Sequence, residues 1–255
     1  MRIALTGGAT GIGNALVHKL HEAGHELVVF DVTKPSGPAD SWIEIDLNDP
    51  ASIEQALAQA TGSFDALINN AGLPPREGLG EKILRVNFCG FKMFLEGMED
   101  KLAPNASIVN TASRAGAMWQ QNSEQVKALM ASDFDDISDL MSRFDIDDTR
   151  AYNLSKEAVI VYSIAQTERM INKGFRMNTV SPAAVSTGIL DDFTKAFGPK
   201  VAKNIERVGR PGQPEEIADV IIFLISPQSH WIKGQDITID GGMGACAITD
   251  MMDLA

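Results

Sequence analysis

The sequence predicts a single doubly wound α/β domain, a seven-stranded parallel sheet with helices on both faces. Three observations point there. Apolar, β-rich runs alternate with helix-period segments along the chain, and repeated β-α-β units imply parallel strands joined by right-handed crossovers. A glycine-rich turn, Thr6-Gly7-Gly8-Ala9-Thr10-Gly11-Ile12-Gly13, follows directly on the first strand-like run. Val28-Val29-Phe30 and Ile221-Ile222-Phe223-Leu224 are apolar on every side, as elements buried between layers should be. No repeat, low-complexity tract or linker divides the 255 residues, so one domain over 1–255 is expected.

The strands are expected at 3–6, 27–31, 42–46, 66–69, 107–111, 176–181 and 236–239. Each is a short β-branched or aliphatic run bounded by turn residues. Helix-period patterns fall near 13–23, 51–60, 80–102, 153–173 and 214–225. The last opens on Pro214-Glu215-Glu216, where the missing N–H and the helix dipole favour proline and acids. The segment 115–151 breaks this rhythm with eight acids and three bases, a net charge of −5. It is nonetheless periodic. Val126, Leu129 and Met130, then Phe134, Ile137, Leu140, Met141 and Phe144, recur at helical spacing. Two short amphipathic helices with an acidic outer face are expected, forming an insert or lid. The Asp cluster lacks the loop spacing of a calcium hand and reads as a solvated helix face.

Composition narrows the function. At 44% hydrophobic and 22% charged the chain can bury a full core. Thirty-four acids against 22 bases give a net charge of −12, which repels nucleic-acid phosphates, anionic lipid and acidic carrier proteins. No membrane partner and no nucleic acid are expected. Met1-Arg2-Ile3-Ala4-Leu5-Thr6 meets the glycine turn at once, without a signal-peptide pattern. Two cysteines, Cys89 and Cys246, are too few for a disulfide framework and suit a reducing cytoplasm. His18, His21, His25 and His230 show no zinc-ligand spacing, so no metal is expected.

Two motifs carry chemistry. Glycines at a strand-to-helix turn let backbone amides approach a pyrophosphate while the helix N-terminus adds partial positive charge. Gly7, Thr10, Gly11, Ile12 and Gly13 are therefore cofactor-site candidates. Asp31 follows at the end of the second strand, placed to accept hydrogen bonds from an adenosine ribose and to repel a 2′-phosphate. NAD is thus expected over NADP. The second motif is Tyr152-Asn153-Leu154-Ser155-Lys156. Tyr and Lys four apart share a helix face, and Ser113 stands at the end of the fifth strand.

Together these residues resemble the short-chain dehydrogenase/reductase family over nearly the whole chain. Asp46-Leu47, Asn69-Asn70-Ala71-Gly72, Asn87, Ser181-Pro182 through Thr187, and Asp240-Gly241-Gly242 extend the match. The long insert before Tyr152 and the short interval from Gly72 to Asn87 look most like the bacterial 3α-hydroxysteroid dehydrogenase/carbonyl reductase branch, which coniferyl-alcohol dehydrogenases also resemble. The resemblance implies a Rossmann-type fold. It implies that Asp46 and Leu47 bind the adenine, that Asn70, Ala71 and Gly72 also contact the cofactor, with Asn70 supporting the central strand, and that Pro182, Val185 and Thr187, with Tyr152 and Lys156, hold the nicotinamide end. Ser113, Tyr152, Lys156 and Asn87 would be catalytic, the last in a proton relay. Ala183 replaces a usual glycine, from which altered loop geometry is expected. Met118 and Trp119 are the substrate-contact candidates.

The chemistry can be argued without the family. A tyrosine of pKa about 10 must come down to about 7, a change of about 4 kcal/mol, to ionise near neutrality. An ammonium about 4 Å away at an effective dielectric near 20 supplies on the order of 4 kcal/mol. Lys156, with positive charge added by an oxidised nicotinamide, is therefore expected to make Tyr152 the base for alcohol oxidation and the acid for reduction, with Ser113 at the substrate oxygen. The expected activity is NAD-dependent interconversion of a hydrophobic alcohol, of hydroxysteroid or aryl and allylic type, with its ketone or aldehyde. An oxoacyl-thioester reductase and a catalytically idle NAD-binding sensor stand as alternatives. A homodimer through the last helix and strand is expected, because the insert feeds into the helix bearing Tyr152 and obstructs a contact there.

Overall fold

The computed structural model describes residues 1–254. Seven parallel strands form one sheet in the order β3-β2-β1-β4-β5-β6-β7. They are β1 (Arg2–Thr6), β2 (Glu26–Asp31), β3 (Ser41–Glu44), β4 (Phe64–Asn69), β5 (Leu102–Thr111), β6 (Arg176–Pro182) and β7 (Asp236–Ile239). All seven expected strands are present, several longer at their first residues than apolar pattern alone suggests.

Alternation within the strands makes two cores. Val28 and Phe30 point into one cluster, Leu27 and Val29 into the other, as a period of two requires. On one face lie α1 (Gly11–Glu22) and α11 (Pro214–Ile225). On the other lie α2 (Pro50–Gln59), α3 (Gly80–Leu84), α4 (Phe91–Met98), α7 (Asp148–Ala165) and α8 (Thr167–Asn172). The expected helix at 80–102 is broken by a π turn at Arg85–Gly90, and the one at 153–173 by a step at Gln166. Phe223 departs from the all-buried reading of α11, being 42% exposed.

The insert holds the two amphipathic helices its periodicity predicts, α5 (Ser123–Ala131) and α6 (Ile137–Phe144). Val126, Leu129, Ile137 and Leu140 are buried while Glu124, Asp133, Asp135, Asp136 and Asp139 face solvent. The insert packs on α7 and α3. Three helices have no counterpart in the sequence pattern: α9 (Leu190–Phe197), α10 (Pro199–Val208) and α12 (Met243–Met251). None has a fully buried residue, so none shows the broad apolar face that marks a core helix. Among the described residues no helix is long and apolar enough to cross a membrane.

Candidate active site

Strand order reverses direction between β1 and β4, and the crevice at their C-terminal ends is where such sheets bind ligands. A cleft of about 790 Å³ opens there. Its walls include Gly7, Thr10, Gly11 and Ile12 from the glycine turn, Asp31, Asp46 and Leu47 from the ends of β2 and β3, and Asn70, Ala71 and Gly72 after β4. Ser113, Tyr152, Lys156, Pro182, Val185 and Thr187 complete it. Residues as far apart in sequence as Gly7 and Thr187 are thus gathered along one crevice.

The glycine turn is shaped for close approach. Gly7 and Gly11 have φ of +73° and +53°, where a side chain is strained. A Cβ on Gly13 would lie 1.7 Å from the Gly7 carbonyl oxygen. Gly13 therefore acts through packing and does not line the cleft itself. Thr10 caps α1 without a side-chain hydrogen bond and no acid occupies the first turn, leaving amides for an anion. Asn70 fixes the turn from the neighbouring strand, its amide donating to the Gly7 carbonyl at 2.9 Å. The Thr6 hydroxyl accepts from the Asn70 and Ala71 amides, both at 3.1 Å. Asp31 accepts from the Ala9 amide at 2.9 Å and the Thr33 amide at 3.0 Å. Its carboxylate thus holds the glycine turn in place, a duty beyond the ribose contact read from sequence.

At the far end of the cleft α7 presents Tyr152 and Lys156, which are 4% and 6% exposed. The Lys156 ammonium lies 5.9 Å from the centre of the Tyr152 ring and donates to the Thr111 carbonyl at 3.1 Å. Ser113, on the turn after β5, lines the same cleft, accepts from the Ala115 amide at 3.2 Å and favours ionisation of the Tyr152 phenol. Arg114 is held by Asp240 at 3.1 Å, and Asp240 in turn takes the Gly242 and Gly244 amides, so the Asp-Gly-Gly motif buttresses the Ser113 turn.

Burial moves both groups against the expectation from sequence. It pushes the Tyr152 phenol up to about 12, with Ser113 opposing. It brings the Lys156 ammonium down to about 8. The acidification of Tyr152 expected from Lys156 together with the positive charge of an oxidised nicotinamide therefore works against burial. Desolvation, which only the folded surroundings impose, is the largest influence on both groups.

Asn87 sits behind the wall on the π turn, 2% exposed. The extra residue in such a turn redirects a side chain, and π turns cluster at functional sites. Its amide brackets Leu73, accepting from the Leu73 N–H at 2.7 Å and donating to the Leu73 carbonyl at 3.0 Å, and it reaches Ser155 at 3.2 Å. A Cβ built on Gly72 would meet the Asn87 Oδ1 and Lys156 Nζ at 3.3 Å each, so these two atoms flank the same glycine.

Two expectations fail. Met118 is 50% exposed and Trp119 packs against the hydrophobic core, and neither lines the cleft. The insert does not cap the cleft either. The element over Tyr152 is α9, whose Phe193 lines the cleft with its ring 5.3 Å from that of Tyr152, edge-on. Phe197 follows at 6.4 Å. The signal in the sequence is Leu190, Phe193 and Phe197 at i, i+3 and i+7, shortly after Thr187. Ala183 adopts no left-handed conformation, and its amide donates to the Ile239 carbonyl at 3.0 Å. An alanine is therefore accommodated there without the distortion expected from its methyl group.

Comparison with known proteins agrees with this geometry. Residues 2–126 match the family model described as short chain dehydrogenase, and residues 137–244 one described as Enoyl-(Acyl carrier protein) reductase. The chain is 30% identical to a coniferyl-alcohol dehydrogenase of Pseudomonas sp. (strain HR199 / DSM 7063), over 96% of each chain. It is 28% identical to a 3-alpha-hydroxysteroid dehydrogenase/carbonyl reductase of Comamonas testosteroni, over 95% of this chain and 96% of the other. Among solved structures it is similar to the 3-alpha-hydroxysteroid dehydrogenase of Pseudomonas sp. B-0831 complexed with NADH. That match has a TM-score of 0.85 and 29% identity, covering 97% of this chain and 98% of that one. With its strand order, its glycine turn and its Ser113, Tyr152 and Lys156 converging on one cleft, the chain belongs to the short-chain dehydrogenase/reductase family of oxidoreductases.

Proposed function

We propose that this protein is an NAD-dependent dehydrogenase that interconverts a hydrophobic alcohol, of hydroxysteroid or aryl and allylic type, with its ketone or aldehyde. The observation that carries the reading is the convergence of Ser113, Tyr152 and Lys156 on the cleft that also contains the glycine turn. A Cβ would close that turn at Gly7 and Gly13, so the residues fit a dinucleotide. Gly7, Thr10, Gly11 and Ile12 would face its pyrophosphate, Asp31 its ribose, Asp46 and Leu47 its adenine, and Pro182, Val185 and Thr187 its nicotinamide end. A carboxylate at Asp31 disfavours a 2′-phosphate, which supports NAD. When bound, the oxidised dinucleotide supplies a hydride acceptor and a positive charge beside the phenol.

The chain's own residues move the proton. Tyr152 takes it from the substrate hydroxyl in oxidation and returns it in reduction. Ser113 hydrogen-bonds the substrate oxygen from the same cleft that Tyr152 lines. Lys156, anchored on Thr111, offsets the charge that develops on the phenolate. Asn87 holds the Leu73 wall and flanks Gly72 opposite Lys156, which places it to pass the proton outward through water. Leu73, Pro74, Ile189 and Phe193 make the substrate end of the cleft apolar. Two of the relatives, named for coniferyl alcohol and for 3-alpha-hydroxysteroids, support a substrate of that apolar character.

We further propose a cytoplasmic homodimer that joins through α11 and the edge strand β7, where Phe223 and Trp231 are 42% and 95% exposed. The catalytic reading is tested by NADH formation with a panel of hydrophobic alcohols. Tyr152→Phe is expected to lower turnover by about 10²- to 10⁴-fold while NAD still binds. Undiminished turnover in that variant overturns the assignment.

A further inference from the structure

The helix that overhangs Tyr152 is attached differently from the wall it faces. The wall segment 73–80 is tied at both ends. Asn87 brackets Leu73, and the Asp148 carboxylate at the start of α7 takes the Gly78 amide at 2.7 Å and the Gly80 amide at 2.8 Å. Pro74 and Pro75 stiffen what lies between. Arg76 therefore projects from a rigid strap. Opposite it, α9 has no fully buried residue. Among the described residues, the one side-chain hydrogen-bonded link from α9 to the rest of the chain is to Asp192, whose Oδ2 accepts from Arg76 Nε at 3.0 Å and Nη2 at 2.8 Å. Beneath this pair is a cavity of about 530 Å³ bordered by Glu77, Asp147, Asp148 and Lys195. Arg76 and Asp192 themselves border this open cavity, beside Pro75 and Ala196. Asp192 directly precedes Phe193, the ring set against Tyr152.

We propose that Arg76 is a positioning residue: its ion pair with Asp192 is the catch that seats α9, so that Phe193 lies against Tyr152 and closes the substrate end of the cleft. The strap is the fixed half and the helix the moving half. Releasing the catch lets Phe193 swing from the phenol and admits or discharges substrate, while the glycine turn at the other end of the cleft is unaffected. Because the contact is electrostatic and the Arg76 side chain is half exposed at 50%, salt weakens it.

The inference rests on the dehydrogenase reading only where it concerns kinetics, and its first test needs no turnover. Amide hydrogen exchange over 190–197 in the cofactor-free full-length protein is expected to rise about fivefold in Arg76→Gln and in Asp192→Asn, the scale of one well-formed, partly exposed ion pair. Sodium chloride at about 0.5 M should speed exchange there in the unaltered protein and leave Arg76→Gln unchanged. In kinetics, Arg76→Gln should raise the alcohol KM by about fivefold with kcat within about twofold. Equal exchange in variant and unaltered protein, or equal salt sensitivity in both, overturns the catch. A KM that does not move while exchange does overturns the role in seating substrate. Failure of the unaltered protein to reduce NAD with any alcohol would instead remove the dehydrogenase reading and leave the exchange result standing.

Discussion

Lys156 sits in surroundings that disfavour its charge. Burial brings its ammonium down to about 8, against an ordinary lysine value of about 10.5. A cation whose folded pKa is depressed stabilises the fold least at low pH. Its contribution is lost as pH falls from the unfolded value through the folded one. At neutral pH the folded protein therefore carries a desolvated charge on the order of 1–3 kcal/mol less favourable than in the unfolded chain. Lys156→Met is expected to melt higher than the unaltered protein at pH 7, the gain shrinking as pH climbs from about 8 towards 10.5, while activity is lost. Calorimetry across that range checks it; a gain that is constant or grows with pH contradicts it. The identity of the pair is legible in the sequence because Tyr and Lys four apart share one helix face. Its electrostatics are not, since desolvation depends on α9, Phe193 and the β5 turn that enclose the two side chains.

At the level of elements, positions that admit no side chain are legible in the sequence and positions of weak burial are not. Gly13 shows the first kind. A methyl group there would drive into the Gly7 carbonyl, so Gly13→Ala should separate α1 from the turn. A loss of about 3 kcal/mol is expected, with NAD affinity falling alongside, as denaturant unfolding and cofactor titration would show. Retained affinity and stability would mean the turn is looser than described. The π turn at Arg85–Gly90 fits neither kind, being buried and still hidden in the sequence. Its residues carry an ordinary helical pattern, and only the close approach of Gly90 to the Leu47 carbonyl, where a Cβ would stand 2.0 Å away, explains why the helix is displaced. The α9 helix shows the second kind. It packs its aromatic residues on the active-site cleft and buries none of them fully, so its periodicity is short and its surroundings are polar.

For the molecule as a whole, the insert changes what is expected of a deletion. Periodicity and position alone suggest a lid, whose shortening over 120–148 would raise substrate KM. The structure puts its apolar residues into the core beside α7, with Arg150 and Glu157 paired at 2.6 Å and Asn122 reaching Glu157 at 2.8 Å. Glu157 follows Lys156 directly and is 1% exposed. Replacing 120–146 by a short loop is now expected to lower the melting temperature and uncover the α7 face. The unaltered protein should sediment as a dimer and the shortened one as larger species. A tetramer from the unaltered protein contradicts the proposed assembly. The overall sheet order and the location of the crevice are readable from sequence because glycine turns, strand ends and β-α alternation are local. Which helices border the cleft depends on packing between segments far apart in the chain.

The two backbone amides held by Asp31 set a limit on redesign. Exchanging that side chain for a neutral or basic one, the obvious route to a phosphorylated coenzyme, would remove the brace under Ala9 and Thr33 in the same stroke. An engineer would have to rebuild the support before altering the preference. Selection acting one substitution at a time would face the same coupled step, which ties the molecule's coenzyme choice to the integrity of its first loop.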